Sequence, residues 1–148
     1  MTVSYNLFTK AFLNKITEYN FIKMDFDDGL DIIDGYMKRA CAQFANVCNH
    51  DIVNGDDDER AFELEIDESE LDELIDIISE GMVVQWMKPY MYKQENLENM
   101  LNTSDFSAYS PAELLYRITN AYNMCKKDFT VLMREYSYNH GDLSDLHL

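Results

Sequence analysis

Positive charge is in short supply in this chain. Twelve lysines and arginines stand against 28 aspartates and glutamates, a formal net charge of −16. Adhesion to nucleic-acid phosphate or anionic lipid needs clustered Lys and Arg, so nonspecific binding to either is disfavoured. Cysteine is scarce too. Cys41, Cys48 and Cys125 are too few and too scattered for a disulfide framework, and reduced thiols in a cytoplasmic protein are expected. Five glycines and two prolines leave few enforced breaks, which favours helices. No stretch approaches the roughly 20 apolar residues that cross a bilayer, so no membrane partner is expected. The opening MTVSYNLFTKAF lacks a basic region followed by a long apolar run, and no secretory signal is expected from it. A glycine-rich phosphate loop, a dinucleotide fingerprint and a strand–turn–helix nucleophile motif are also missing. No catalytic residue, cofactor or metal ligand is therefore assigned.

What is present is apolar surface in helical register. A hydrophobic fraction of 47% over 148 residues suffices for one domain with a real core. In the first amphipathic stretch, about Ser4 to Tyr19, the residues Leu7, Phe8, Ala11, Phe12, Ile16 and Tyr19 share a face. A second helix, about Asp28 to Cys48, carries Leu30, Ile33, Met37, Ala40, Phe44 and Val47, with Asp27 or Asp28 as cap. HDIVNGDDDE then reads as a polar, mobile loop; AFELEI alternates apolar and acidic side chains as a short strand would, but with no obvious partner strand it reads as extended connector. A third helix follows Asp67, a plausible cap with Glu70 behind it, and presents Leu71, Leu74, Ile75, Ile78, Met82 and Trp86. Pro89 is expected to end or kink it, with a short helix from Tyr90 to Leu101 turning away.

SAYSPAELLYR, residues 107–117, is a helix start with four agreeing signals. Ser110 suits the N-cap, Pro111 the first helical position, and Glu113 the reciprocal capping bond, while Tyr109 and Leu114 form a staple. Leu115, Ile118, Tyr122, Cys125, Phe129, Leu132 and Tyr136 then alternate steps of three and four. The helix they predict spans on the order of 40 Å, longer than a domain of this size requires. It is expected to be the spine of the bundle, with part of its length left for neighbours. Gly141 supplies the stop.

The charge is uneven. From Asp51 to Glu80 there are fourteen acidic residues, half of the total, against Arg60 alone; from Ser110 to His140, Glu113, Asp128 and Glu135 face Arg117, Lys126, Lys127 and Arg134. A solvated acidic face is the plain explanation. Asn54, Asp56, Asp58 and Glu65 have the spacing of a calcium loop, but Glu59 stands where the sharp turn wants glycine. His140, Asp142, Asp145 and His147 are acceptable zinc ligands with nothing to fix their geometry. Neither set is assigned a metal. Tyr90, Tyr92, Tyr109, Tyr136 and Tyr138 fall at helix ends and in loops, where tyrosine suits a subunit interface as well as a partly exposed core. Tyr136 and Tyr138 are the candidates carried forward.

The chain thus reads as all-α: a small bundle over residues 1–140 with an acidic connector at about 49–66, a long C-terminal helix, and an extended tail, 141–148. The succession DIIDGYMKRACAQF, GMVVQWMKPYMY, DFSAYSPAELLYRI and REYSYNHGDLSDL resembles the all-helical head–tail connector, or neck adaptor, proteins of tailed bacteriophages. The resemblance covers most of the chain and contains no catalytic signature. It implies a non-enzymatic virion protein, made in the host cytoplasm. Such a protein assembles with copies of itself into a ring, often of twelve, between the portal protein and the next neck or tail protein. It implies a docking arm in Gly141, Asp142, Leu143, Leu146 and Leu148, aimed by the last helix. DNA would pass through without specific binding, and Asp56, Asp57, Asp58, Glu59, Glu63 and Glu65 would face lumen or solvent. An acidic DNA-mimic inhibitor, or another structural binding module, is the competing expectation.

Overall fold

The computed structural model describes residues 1–19, 29–92 and 111–140. Its elements in chain order are β1 (Thr2–Ser4), α1 (Tyr5–Ile16), α2 (Leu30–Phe44), β2 (Ala61–Glu63), α3 (Glu68–Tyr92) and α4 (Pro111–His140). The molecule is mostly helical, a small bundle with a two-stranded sheet at one edge.

That sheet corrects the expected connector. Thr2 pairs with Glu63, Val3 with Phe62 and Ser4 with Ala61, antiparallel. The Leu64 amide donates to the Met1 carbonyl at 2.9 Å, and the Thr2 hydroxyl meets the Glu63 carboxylate. AFELEI keeps its two-residue period: Phe62 and Leu64 are buried, Glu63 and Glu65 exposed. Its partner is three residues at the extreme N-terminus, too short to carry a strand signal.

Ser4 closes β1 and caps α1, its hydroxyl accepting from the Asn6 amide at 3.2 Å. Tyr5, Phe8, Phe12 and Ile16 are buried, whereas Leu7 turns outward. α2 starts at Gly29, whose φ of +70° suits glycine; no side chain caps it there, and Asp27 and Asp28 lie outside the described residues. The helix ends at Phe44, so Cys48 sits beyond it rather than on it.

α3 is the spine, not α4. Its cap is as expected, with Asp67 Oδ1 accepting from the Glu70 amide at 2.7 Å. Between Ile77 and Met87 every residue but Glu80 is buried, because α1, α2 and α4 all pack on this helix. A helix apolar around its circumference belongs at a bundle centre. Gly81 lets the neighbours close: a Cβ there would lie 2.7 Å from Phe129 on α4 and 2.8 Å from Ala40 on α2. α3 also runs through Pro89 to Tyr92 instead of ending there. One lost ladder bond near the terminus is outweighed by the burial of the preceding turns. Tyr90–Tyr92 therefore extend α3, and residues 93–101 of the expected short helix lie outside the described residues.

α4 is 30 residues long and starts at Pro111. Leu114, Ile118, Tyr122, Cys125, Phe129 and Tyr136 are buried, while Leu115 is exposed, so the core stripe begins one residue earlier than the spacing suggested. Ser110 and Tyr109 lie outside the described residues.

Candidate functional site

Among the described residues, one convergence of polar groups lies where α4 ends. Glu70, in the first turns of α3, receives the Tyr136 hydroxyl at 2.8 Å and His50 Nε2 at 3.1 Å on one carboxylate oxygen. His140 Nδ1 lies 3.9 Å from that oxygen, and its Nε2 is 2.8 Å from Glu73 Oε2. Asn49 donates its side-chain amide to the His140 carbonyl at 2.8 Å and its backbone amide to the Tyr136 hydroxyl at 3.4 Å. The Asn49–carbonyl bond satisfies one of the acceptors that every helix C-terminus leaves open. Phe44 stands edge-on to Tyr136, centroids 5.0 Å apart, and the His140 ring lies 4.4 Å from it.

Tyr136 corrects the interface expectation: it is fully buried, and burial, reinforced by its bond to Glu70, pushes its phenol well above the usual range. Tyr138 is exposed. Sequence reasoning missed this junction. His50 and His140 are 90 positions apart and Glu70 already had a local role behind the Asp67 cap, so no linear spacing connects them. The arm residues Gly141, Asp142, Leu143, Leu146 and Leu148 lie outside the described residues, as do Asp145 and His147. His140, the last described residue before them, is held.

The acidic loop is built around its own carboxylates, which accept from the amides of its turns. Asp51 Oδ1 accepts from the Val53 and Asn54 amides at 3.1 and 3.0 Å, which holds its carboxyl below the usual range. Asp56 Oδ1 accepts from the Asp58 and Glu59 amides at 3.0 and 3.2 Å, and its backbone exchanges two bonds with Ala61. Asp57 is salt-bridged to Lys38 at 3.0 Å and takes the Tyr5 hydroxyl at 3.1 Å; together these lower its carboxyl, while burial and that bond push Tyr5 to about 12. Arg60, at φ +50°, forks onto both Asp34 oxygens at 2.7 Å each. Gly55 admits the turn, since a Cβ would strike the Tyr5 hydroxyl and the Phe62 ring. Asp56, Asp57, Asp58, Glu59, Glu63 and Glu65 are all exposed. Among the described residues, no His, Cys, Asp and Glu grouping has the geometry to hold a metal ion.

All three cysteines are free. Burial pushes the Cys41 thiol to about 12 and Cys125 to about 11, and raises Cys48 as well. Buried thiols of this kind are inert packing groups. Along the first half of α4 runs an open groove of about 900 Å³, lined by Tyr19, Glu113, Tyr116, Arg117, Met124 and Asp128 among others. Tyr19 is fastened beside it, its hydroxyl 3.0 Å from Cys125 Sγ. No described helix is long and apolar enough to cross a membrane.

Compared with known proteins, the chain matches no family model, no curated protein and no solved structure.

Proposed function

We propose that this chain is a non-enzymatic adaptor of a tailed-phage neck, assembling as a ring between the portal protein and the next neck or tail component. The observation that carries the reading is the pinned end of α4. A rod of 30 residues, on the order of 45 Å at 1.5 Å per residue, is packed along the bundle and locked at its last turn by Glu70, Glu73, Asn49 and the Phe44 ring. A segment leaving such a terminus departs from a defined place, which is what a docking arm needs. The arm is Gly141–Leu148, whose Leu143, Leu146 and Leu148 seat on the portal. The resemblance in segment order to neck adaptors supports the same assignment, and the virion is the expected location. The exposed carboxylates of the 56–65 region suit a lumen that repels passing DNA rather than gripping it.

Removal of residues 141–148 tests this reading. The truncated chain is expected to keep its helical circular dichroism and to lose binding to portal rings in size-exclusion chromatography with light scattering. Undiminished portal binding would refute it. The exposed carboxylates also favour a second reading, an acidic mimic of DNA that blocks a DNA-binding enzyme. Tight binding to a nuclease, with none to the portal, would select that one.

A further inference from the structure

α4 carries a second apolar stripe. Tyr116, Met124, Val131 and Tyr138 follow one another at eight, seven and seven residues and are 69%, 66%, 37% and 73% exposed. At 100° per residue they cluster on the side of the helix away from Leu114, Ile118, Cys125, Phe129 and Tyr136, which face the bundle. Exposed Lys127 and Arg134 lie along the same outer face, and neither is ion-paired among the described residues. Glu113 shares that face near its N-terminal end and Glu135 lies at its edge, so a chain of net charge −16 has placed aromatic and aliphatic side chains there with two cations, Lys127 and Arg134, and two acids.

The complement is on the same molecule, turned the other way. Glu70 and Glu73 of α3 point at α4 through Tyr136 and His140. Glu68 and Asp72 lie about half a turn around α3 from Glu70, are exposed, and have no cation partner among the described residues. The apolar face of α4 that carries Lys127 and Arg134 and the acidic flank of α3 therefore look out from opposite sides of the bundle. A chain cannot satisfy both by folding on itself, and a two-fold dimer would set like against like.

We infer that the outer face of α4 docks on the Glu68–Asp72 flank of the next copy of this chain, a head-to-tail contact repeated around the assembly. Such heterologous contacts generate a ring when the rotation closes. Tyr116, Met124, Val131 and Tyr138 supply the desolvated centre, and Lys127 and Arg134 set partner and direction. The inference rests on the ring-forming reading but uses neither the arm nor the portal.

A charge swap in the full chain tests it. Lys127→Glu with Arg134→Glu makes both surfaces acidic, and Glu68→Lys with Asp72→Lys makes both basic. The native chain at millimolar concentration is expected to sediment as associated species. Carbodiimide should couple Lys127 of one copy to Glu68 or Asp72 of another. Each double variant alone is expected to associate at least about ten-fold more weakly, while circular dichroism confirms its fold. Their equimolar mixture is expected to associate as the native chain does, because acidic and basic surfaces then alternate. A native chain that stays monomeric without those cross-links overturns the inference, as do variants that associate undiminished or a mixture that does not recover. Loss of portal binding on truncation is scored separately, so the arm assignment and this contact fail independently.

Discussion

Two glycines in neighbouring helices should respond to the same substitution with opposite sign. Gly81 sits where α3 meets both α2 and α4, and an added Cβ would lie 2.7 Å from Phe129 and 2.8 Å from the Ala40 methyl. Neither contact exists in a relaxed structure. The Phe129 ring has some freedom to move, but Ala40 is fixed to the backbone of α2, so a helix must shift. Overpacking of this kind costs about 1–3 kcal/mol. Alanine would recover about 1 kcal/mol of helix propensity. The net expectation for Gly81→Ala is destabilisation by about 1 kcal/mol or somewhat more. At Gly35, in the middle of α2, the nearest atom to an added Cβ is the flexible end of Arg39 at 3.6 Å, so only the propensity gain remains. Gly35→Ala should stabilise by about 0.5–1 kcal/mol. Urea unfolding followed at 222 nm separates the two, and the slope should stay constant if both folds persist. Equal stabilisation by both substitutions would refute the close three-helix crossing, and with it the placement of α3 at the centre.

Tyr136→Phe keeps the ring against Phe44 and removes only the hydroxyl that Glu70 and Asn49 share. A loss of about 1–2 kcal/mol is expected by the same denaturation assay, and a neutral result would show that the α4 terminus is not held there. Thiol reactivity has a defined order. At pH 8, Cys48 should react with a disulfide reagent before Cys41 and Cys125, whose thiols burial pushes to about 12 and 11; simultaneous reaction of all three would contradict that packing. A raised folded-state value stabilises the fold below the unfolded thiol's ordinary range and is lost as pH climbs toward 11 or 12. Circular dichroism should therefore stay flat to about pH 9 and decline above it.

The helices α1, α2 and α4 were legible because each buries one face, which leaves the three-and-four spacing that a sequence displays. α3 was found but misranked. Burial all round, which marks a central helix, shows in a sequence only as a denser apolar run, so the longer and more regular α4 was expected to fill that role. The β1–β2 pair was hidden for a different reason, since three-residue strands carry almost no pattern and their pairing spans 61 positions. Tyr136 stood open between interface and core because a tyrosine near a helix end suits both equally. What separates the two is whether a part-buried acceptor within the same chain meets the hydroxyl, and Glu70 comes from 66 residues away. The acidic loop shows the limit of composition: counting carboxylates gives their charge but not that Asp51 and Asp56 spend an oxygen each on the amides of their own turns.

That use of carboxylates bears on the contact proposed between copies of the chain. Asp51, Asp56 and Asp67 accept turn and cap amides; Asp34 holds Arg60, Asp57 holds Lys38, and Asp76 and Glu80 hold Lys15. Glu68 and Asp72 are among the exposed carboxylates with no cation partner among the described residues, and Lys127 and Arg134, on the far side, are among the cations with no acidic one. Two opposing effects then act between molecules. The net charge of −16 repels over long range, and salt weakens it once separations exceed the Debye length of about 10 Å at 0.1 M. Complementary side chains in contact lie well inside that length and are screened less. Association should therefore rise as salt is added to about 0.1 M, where the repulsion fades first, and fall again toward 0.5 M. Sedimentation across that range reads the curve. A steady rise with no fall would mean that apolar contact alone joins the copies, leaving Lys127 and Arg134 no part in choosing the neighbouring surface.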